Sequence, residues 1–257
     1  MDLETVRWEV SDAVGTLTLD RPDRRNGITG QMMRDVHEVL VAAASDDSLL
    51  VVVLTGAGDS FCVGADLKHY AAGEDDAGAP PETFSISPLL HGMPAVTVAA
   101  VNGAAAGAGF GWACACDLRV ASASAVFNTA FLDVAVAGDM GGPWSLPRLV
   151  GAAKARELYF LPGKFGAPEA LSMGLVAAVF PDDAFVTEVG ALVSRLAGAA
   201  PQALQGMKQN FLDAEQMGFE EYIATETERH GRITASEDCR EAFAAFVEKR
   251  VPRFSGR

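Results

Sequence analysis

The chain has 257 residues, of which 49% are hydrophobic, so it is long enough to bury a sizeable core within one large domain. Its formal charge of −14 at pH 7 argues against nucleic acid as a partner, because phosphate binding depends on lysine and arginine. It has no apolar run near the roughly 18 residues that a membrane helix needs, and its acidic N-terminus lacks the features of a signal peptide. We therefore expect a cytoplasmic protein without a membrane partner.

The first elements predicted along the chain are two strands, a helix and a third strand. Residues 6–10 and 14–19 indicate two strands of a hairpin, and Thr29 is placed to cap the helix that follows. The apolar run at residues 49–54 is typical of a strand buried on both faces. This mixture predicts an α/β chain with a stacked sheet core rather than a plain alternating Rossmann sheet.

Two glycine turns come next, each between a strand and the start of a helix. The first lies within residues 58–68 (GDSFCVGADLK), contains Gly64 and ends at Asp66, a residue typical of a helix cap. The second joins a strand at residues 95–101 to a short helix that opens at Gly107. The N–H groups at a helix start lack intrahelical acceptors and attract negative charge. Donors from two such turns would together form an oxyanion hole.

A polar segment at residues 73–81 indicates a loop over a site, and the chain changes character from residue 151 onward. Beyond residue 151 the pattern predicts mainly helices, and we expect this region to pack against a neighbouring subunit. The helices are predicted over residues 152–160, 167–173, 183–196, 201–216 and 219–230, with one strand at 176–180 and a last helix from Ser236 to Lys249. The four cysteines lack the spacing of zinc ligands, so no metal site is predicted.

The two glycine turns also carry a family resemblance. SFCVGADLK and AAVNGAAAGAGF, in this order and at this separation, resemble the crotonase superfamily, also called the enoyl-CoA hydratase/isomerase family. The resemblance extends to GGPWSLPRLVG, MGLVAAVFP and FVEKR further along the chain. It implies an α/β fold with a crotonase-like ββα spiral core over residues 1–195 and a helical trimerisation region over 196–257. It also implies a homotrimer or a hexamer made of two trimers, with acyl-CoA as the substrate and no cofactor.

The resemblance assigns residues to the thioester, the CoA and the acyl group. The backbone N–H groups of Ala65 and Ala108 are expected to hold the thioester oxygen. The CoA contacts it implies are Arg24, Arg25, Cys62, Gly64, Asp66, Lys68 and Lys249, and the acyl pocket residues are His69, Tyr70, Gly111, Phe131 and Trp144. Asp23 replaces a basic residue usual in the family, so Arg24 and Arg25 are the candidates to substitute for it, and Lys249 would serve a neighbouring subunit. For each basic residue, a solvated surface charge is an equal alternative.

The acid or base is where the chain departs from the hydratases of this family. Those enzymes carry two glutamates, and the matching positions here are Gly111 and Phe131, which cannot move a proton. Asp139 stands instead at a position where some isomerases and aryl-CoA dehalogenases of the family have an aspartate. A single carboxylate can remove a proton from one carbon and return it to another. We therefore expect double-bond isomerisation through a thioester enolate, with Asp139 as the catalytic acid and base.

Several alternatives stay open at this point. The chain could be an enoyl-CoA hydratase with an atypical site, an aryl-CoA dehalogenase-like hydrolase that uses Asp139 as nucleophile, or an inactive acyl-CoA-binding homologue. Asp139 could instead only cap the helix that follows it. A dinucleotide loop built on Gly103, Gly107 and Gly109 is disfavoured, because the helix after it is too short and no acidic residue ends a strand about 20 residues later.

Overall fold

We describe the protein from a computed structural model that covers residues 1–73 and 79–256. Most of the loop predicted at residues 73–81 lies outside the described residues. The strands are β1 (Val6–Ser11), β2 (Val14–Leu19), β3 (Val51–Gly56), β4 (Ser60–Cys62), β5 (Val96–Val101), β6 (Ala104–Ala106), β7 (Leu118–Ser122), β8 (Val126–Asn128), β9 (Phe165–Gly166) and β10 (Ala178–Phe180). The helices are α1 (Gly30–Ala44), α2 (Leu67–Ala71), α3 (Ile86–Gly92), α4 (Gly107–Ala115), α5 (Gly142–Val150), α6 (Ala152–Phe160), α7 (Ala167–Ser172), α8 (Phe185–Ala197), α9 (Pro201–Ala214), α10 (Phe219–Thr234) and α11 (Glu237–Glu248).

The strands form two sheets that the chain visits alternately. One sheet has six strands in the order β1-β2-β3-β5-β7-β10, and the other has four in the order β4-β6-β8-β9. The consecutive pairs β3 and β4, β5 and β6, and β7 and β8 each place one strand in the larger sheet and the next in the smaller one. The chain therefore advances as a spiral, which confirms the predicted α/β class and the spiral core.

The pairing directions follow from these connections. The hairpin of β1 and β2 is antiparallel, as predicted, and β2, β3, β5, β7 and β10 pair in parallel. Parallel strands need crossovers that cover both faces of the sheet, so their sequences are continuously apolar. All six residues of β5 are buried, in agreement with this rule.

Local sequence signals account for several of the helix positions. Thr29 caps α1 by accepting a hydrogen bond from the Met32 N–H, and Asp66 caps α2 by accepting one from the His69 N–H. Both caps confirm the predictions, because a short side-chain acceptor satisfies an otherwise unpaired first-turn N–H. The helix α4 is buried along its whole length, so its nine residues lie between the two sheets and the surrounding helices.

The C-terminal helices divide between those that touch the core and those that extend from it. The helix α9 is attached to the sheet by Lys208, whose buried ammonium donates to the Ala95 carbonyl at 2.8 Å and to Asp117 at 2.7 Å. The helix α10 packs on α9, and α11 packs on α10. Four apolar side chains of this outer part are more than three-quarters exposed: Phe219 (80%), Phe246 (84%), Val247 (79%) and Val251 (83%). The division into residues 1–195 and 196–257 stays a prediction.

No helix among the described residues is both long and apolar enough to cross a lipid bilayer.

Candidate active site

The first glycine turn is fixed by two backbone hydrogen bonds with Ile28. The Ile28 N–H donates to the Gly64 carbonyl at 2.8 Å, and the Asp66 N–H donates to the Ile28 carbonyl at 2.9 Å. Successive amides of an extended segment point to opposite sides, so the N–H of Ala65 points away from Ile28. Within residues 1–73 and 79–256, that N–H has no hydrogen-bond acceptor.

The second glycine turn lies directly against the first. A Cβ atom added to Gly64 would stand 3.0 Å from the Ala106 carbonyl oxygen and 3.5 Å from the Ala108 nitrogen. A Cβ added to Gly107 would stand 3.7 Å from the Gly64 Cα. Both glycines have positive φ angles, +82° and +52°, which side chains disfavour. A side chain at position 64 would therefore crowd the Ala106 carbonyl, whereas one at position 107 would make ordinary contact, and the positive φ angles favour glycine at both positions.

The N–H of Ala108 belongs to the first turn of α4, where amides lack intrahelical acceptors. The structure thus brings together the turns that carry the two predicted donors, Ala65 and Ala108. A donor pair of this kind, at the start of a helix, is suited to an oxygen that gains negative charge. Their action as an oxyanion hole stays a prediction.

Asp139 lies in the segment before α5, and its carboxylate does not cap that helix. The N-cap residue is Gly141, and no side chain caps the helix. The Gly142 N–H donates to the backbone carbonyl of Asp139, at 3.3 Å, rather than to its side chain. The Oδ1 atom is buried and has no hydrogen-bond partner among the described residues. The alternative that Asp139 is only a helix cap is therefore wrong, and burial raises the pKa of this carboxyl.

The carboxylate of Asp139 lies within electrostatic reach of Cys62 in the first glycine turn. Burial raises the pKa of the Cys62 thiol to about 12; the Gly64 N–H donates to its sulfur, and the negative charge of Asp139 contributes to the increase. Cys62 packs in turn against Gly109, since a Cβ added there would stand 2.6 Å from the sulfur. Asp139 is therefore close enough to the start of α4 to act electrostatically on groups there.

Positions 111 and 131, which the family resemblance matches to the glutamates of hydratases, hold no acid here, and the structure shows what occupies the space beside position 111. A Cβ added to Gly111 would stand 2.9 Å from the Met140 Cβ and 3.4 Å from the Met140 carbonyl oxygen. The segment that carries Asp139 therefore fills the space that a side chain at position 111 would need. Gly111 is buried against Met140, and its predicted acyl contact stays a prediction.

The structure separates two residues that were predicted to share one acyl pocket. Phe131 stacks on Tyr159 with the ring centroids 6.2 Å apart, and both line a cavity of about 360 Å³. Trp144 lies under the Arg148 guanidinium and lines a different cavity of about 580 Å³. The reason is helical spacing on α5, where Trp144 and Arg148 face one cavity while Pro143 faces the other. Phe131 and Trp144 thus line different cavities, and their joint role in binding the acyl group stays a prediction.

Asp66 is committed to the fold rather than to a ligand. Its carboxylate pairs with Arg21 and with Arg24, each at 3.1 Å, in addition to capping α2. Burial alone would raise the pKa of Asp66, but hydrogen bonds from Arg24, the His69 N–H and Arg21 outweigh it and lower the pKa to about 2. These bonds occupy the carboxylate, so we do not expect its side chain to contact CoA.

Of the other predicted CoA and acyl residues, Cys62 and Gly64 are buried, and their CoA contacts stay predictions, whereas Arg25, Lys68 and Tyr70 are exposed. Arg25 is exposed beside the first turn, and its Nε approaches the Ser60 hydroxyl at 3.4 Å. Lys68 is exposed on α2, where the rings of His69 and Tyr70 meet edge to face with centroids 5.7 Å apart. Among the described residues, no group of three or more potential metal-ligating side chains is found.

Lys249 is exposed at the end of α11, where it adopts a left-handed conformation. A CoA contact by this residue stays a prediction, as do those of Arg25 and Lys68.

One residue near the site was not singled out by the sequence. Tyr159 on α6 has a buried hydroxyl without a hydrogen-bond partner in the part of the chain that the structure describes. A Cβ added to Gly142 would overlap that hydroxyl, so the tyrosine reaches the segment that carries Asp139. The only sequence signal is a tyrosine within the largely apolar run LYFLP, which by itself is typical of a core residue.

Comparisons with known proteins agree with this architecture. The sequence model of one family, described as enoyl-CoA hydratase/isomerase, matches residues 9–257. The (E)-benzylidenesuccinyl-CoA hydratase of Thauera aromatica is 34% identical, with 98% of this chain and 99% of the relative covered. The 1,2-epoxyphenylacetyl-CoA isomerase of Escherichia coli is also 34% identical, with 99% and 100% covered. The crystal structure of an enoyl-CoA hydratase from Polaromonas sp. JS666 superposes with a TM-score of 0.87 at 31% identity, over 97% of this chain and 99% of that one.

Proposed function

The chain belongs to the enoyl-CoA hydratase/isomerase family, and from this premise we propose that it moves a carbon–carbon double bond in an acyl-CoA thioester. The thioester oxygen would accept hydrogen bonds from the Ala65 and Ala108 N–H groups. Removal of a proton from the carbon beside the thioester leaves an enolate, whose charge collects on that oxygen. Preorganised amide donors stabilise the charge where it develops, by about 3 kcal/mol for each donor.

Asp139 is the proposed acid and base. Its carboxylate takes the proton from one carbon and returns it to another carbon of the conjugated chain, so the group ends in its original state. A carboxylate that is half-buried and unpaired is a stronger base than one held by arginines, because no partner stabilises its charged form. The observation that carries the proposal is the buried, unpartnered Oδ1 of Asp139, in a segment that packs against α4, at a site where positions 111 and 131 hold no acid.

The same geometry favours isomerisation over the addition of water. Hydration needs one group to activate water and another to protonate carbon, and Met140 fills the space where a second acid could stand at position 111. Hydration is the second candidate, because relatives include hydratases such as the Thauera enzyme. The names of the Thauera and Escherichia relatives include a benzylidenesuccinyl and an epoxyphenylacetyl group, so ring-containing acyl-CoAs, aromatic ones among them, belong in any substrate panel.

We also propose that the active form is a homotrimer or a pair of trimers. The outer C-terminal helices expose apolar side chains, Phe246 at 84% and Val247 at 79%, which water solvates poorly. An interface between copies would cover them. Lys249 follows directly on this exposed face and would then lie near a neighbouring subunit. Sedimentation of the wild type and of Phe246→Glu tests the assembly, since a monomeric wild type would contradict it.

The function is tested with a panel of straight-chain and aromatic enoyl-CoAs incubated in deuterated buffer and followed by NMR. We expect double-bond migration with deuterium incorporated at carbon, and loss of both in Asp139→Asn. Hydration as the main reaction would favour the second candidate. Binding of the CoA esters without exchange or turnover would identify an inactive homologue. Full activity in Asp139→Asn would remove this residue from the mechanism.

A further inference from the structure

Two buried polar atoms near the proposed acyl site lack hydrogen-bond partners among the described residues: Oη of Tyr159 and Oδ1 of Asp139. Buried polar groups in native proteins are almost always paired, because an unpaired one keeps the full cost of its lost hydration. A pair of such atoms on neighbouring elements therefore calls for an explanation. A ligand that supplies both missing bonds is one.

The ring of Tyr159 is held in place by its contacts with Phe131 and with the segment that carries Asp139. It stacks against Phe131 with an angle of 9° between the rings. It also meets the segment that carries Asp139, since a Cβ added to Gly138 would stand 3.9 Å from the ring and one added to Gly142 would overlap the hydroxyl. The hydroxyl therefore has little freedom to turn toward solvent.

The same part of α6 is tied to the second glycine turn. The Thr129 hydroxyl donates to the Leu158 carbonyl at 2.7 Å, directly beside Tyr159. The Thr129 carbonyl oxygen is in turn 4.0 Å from the Cβ position of Gly107. Tyr159 also lies against Gly138 and Gly142, on either side of Asp139 in the chain. Burial raises the pKa of the tyrosine most, and the negative charges of Cys114 and then Asp139 add to the increase. Three elements thus converge around one small region.

We propose that Tyr159 and Asp139 form a polar end of the acyl pocket that selects acyl groups carrying a hydroxyl. A hydroxyl is the group that satisfies both atoms at once, because it accepts from the Tyr159 O–H and donates to Oδ1 of Asp139. Of the two carboxylate oxygens of Asp139, Oδ1 is the one that is buried without a partner. In this proposal Oδ1 accepts the hydroxyl of the ligand, and Oδ2 takes the proton from carbon. This proposal rests on the proposed function, which places the acyl group between the glycine turns and Asp139.

The test uses saturated ligands, so it needs no turnover. Hexanoyl-CoA and its 4-, 5- and 6-hydroxy derivatives are titrated into the protein and their affinities are measured by calorimetry. The derivative that binds most tightly shows how far along the acyl chain the polar end of the pocket lies. We expect at least one hydroxylated ligand to bind about tenfold more tightly than hexanoyl-CoA, as a site with unpaired polar groups should. Tyr159→Phe should bring that ratio to about one, because it removes the donor.

Tyr222→Phe is the matched control. Tyr222 lies on α10 and donates to Glu226 at 2.7 Å, so the variant removes a hydroxyl of the same kind elsewhere. It should keep the preference of the wild type. The melting temperature of Tyr159→Phe should not fall, because the lost hydroxyl has no partner among the described residues.

The proposal fails if the wild type prefers no hydroxylated ligand or if the preference survives in Tyr159→Phe. The proposed function is judged separately, by the turnover of Asp139→Asn on enoyl-CoA. If that variant stays active while the hydroxyl preference depends on Tyr159, the mechanism is overturned and the selectivity stands. If Asp139→Asn is inactive and no hydroxyl preference exists, the reverse holds.

Discussion

Two aspartates near the glycine turns show how differently one residue type can be used. Asp66 caps a helix and pairs with two arginines, which lowers its pKa to about 2 despite its burial. Asp139 caps nothing, its Oδ1 has no partner among the described residues, and burial raises its pKa. The first carboxylate stabilises the fold in its charged form, and the second is destabilised in that form. Only the second is therefore prepared to take up a proton.

The largest expected effect is a loss of turnover when Asp139, but not Asp66, is the aspartate that acts in catalysis and is replaced. Asp139→Asn should lower turnover of the preferred enoyl-CoA by about 10³-fold, since general acid and base catalysis contributes at this level. Its stability should be unchanged or higher, because the variant removes an unpaired charge that folding desolvates. Steady-state kinetics and thermal unfolding check both statements. Asp133→Asn is the control, because Asp133 is an exposed aspartate in the same region and should leave both quantities unchanged.

Removal of the other aspartate should act on stability instead. Asp66→Ala should reduce the free energy of unfolding by about 2 kcal/mol, because a helix cap and two arginine pairs are lost together. Asp66→Asn keeps a capping oxygen and should lose less. Chemical denaturation of the two variants gives the comparison. Equal losses in both would show that the ion pairs, and not the cap, provide the stability.

A small change at Gly111 should affect the Asp139 segment without touching Asp66. Gly111→Ala places a methyl group 2.9 Å from the Met140 Cβ, and such overpacking costs about 1–3 kcal/mol. Because Met140 adjoins Asp139, turnover should fall as well. Gly163→Ala is the control, since nothing lies within 4 Å of a Cβ at that position. Wild-type activity in Gly111→Ala would show that the Asp139 segment can shift to make room for the methyl group without loss of turnover.

The smallest effect is a difference in how stability depends on pH. Folding lowers the pKa of Asp66 from 3.8 to about 2, so its contribution is present above pH 3.8 and is lost as the pH falls toward 2. Folding raises the pKa of Asp139 above 3.8, so its ionisation costs stability as the pH rises through that raised pKa. Urea denaturation at several pH values should show that the free energy of unfolding of Asp139→Asn increases relative to that of the wild type as the pH rises. The deficit of Asp66→Asn should shrink as the pH falls, and parallel profiles would contradict both assignments.

Local rules explain why much of the site could be predicted. The Asp66 and Thr29 caps depend on hydrogen bonds to residues three positions away, so the sequence pattern contains all the information. The glycine turns were placed for the same reason, since a strand that runs into a helix needs turn residues at the junction. Strand limits were less accurate: β3 spans Val51–Gly56 against a prediction of 49–54, because the apolar run begins two residues before the first paired residue and the pairing continues through Thr55 and Gly56.

The sequence by itself determined the α/β class, the two glycine turns, the Asp66 cap and the loss of acids at positions 111 and 131. Tertiary structure alone decided that Asp139 is no helix cap, that Trp144 and Phe131 line different cavities, and that Tyr159 reaches the Asp139 segment. The physical reason is the separation in sequence between the residues that interact. A cap or a turn is formed by residues adjacent in the chain, whereas the partners of a side chain in a loop are set by elements that only packing brings together.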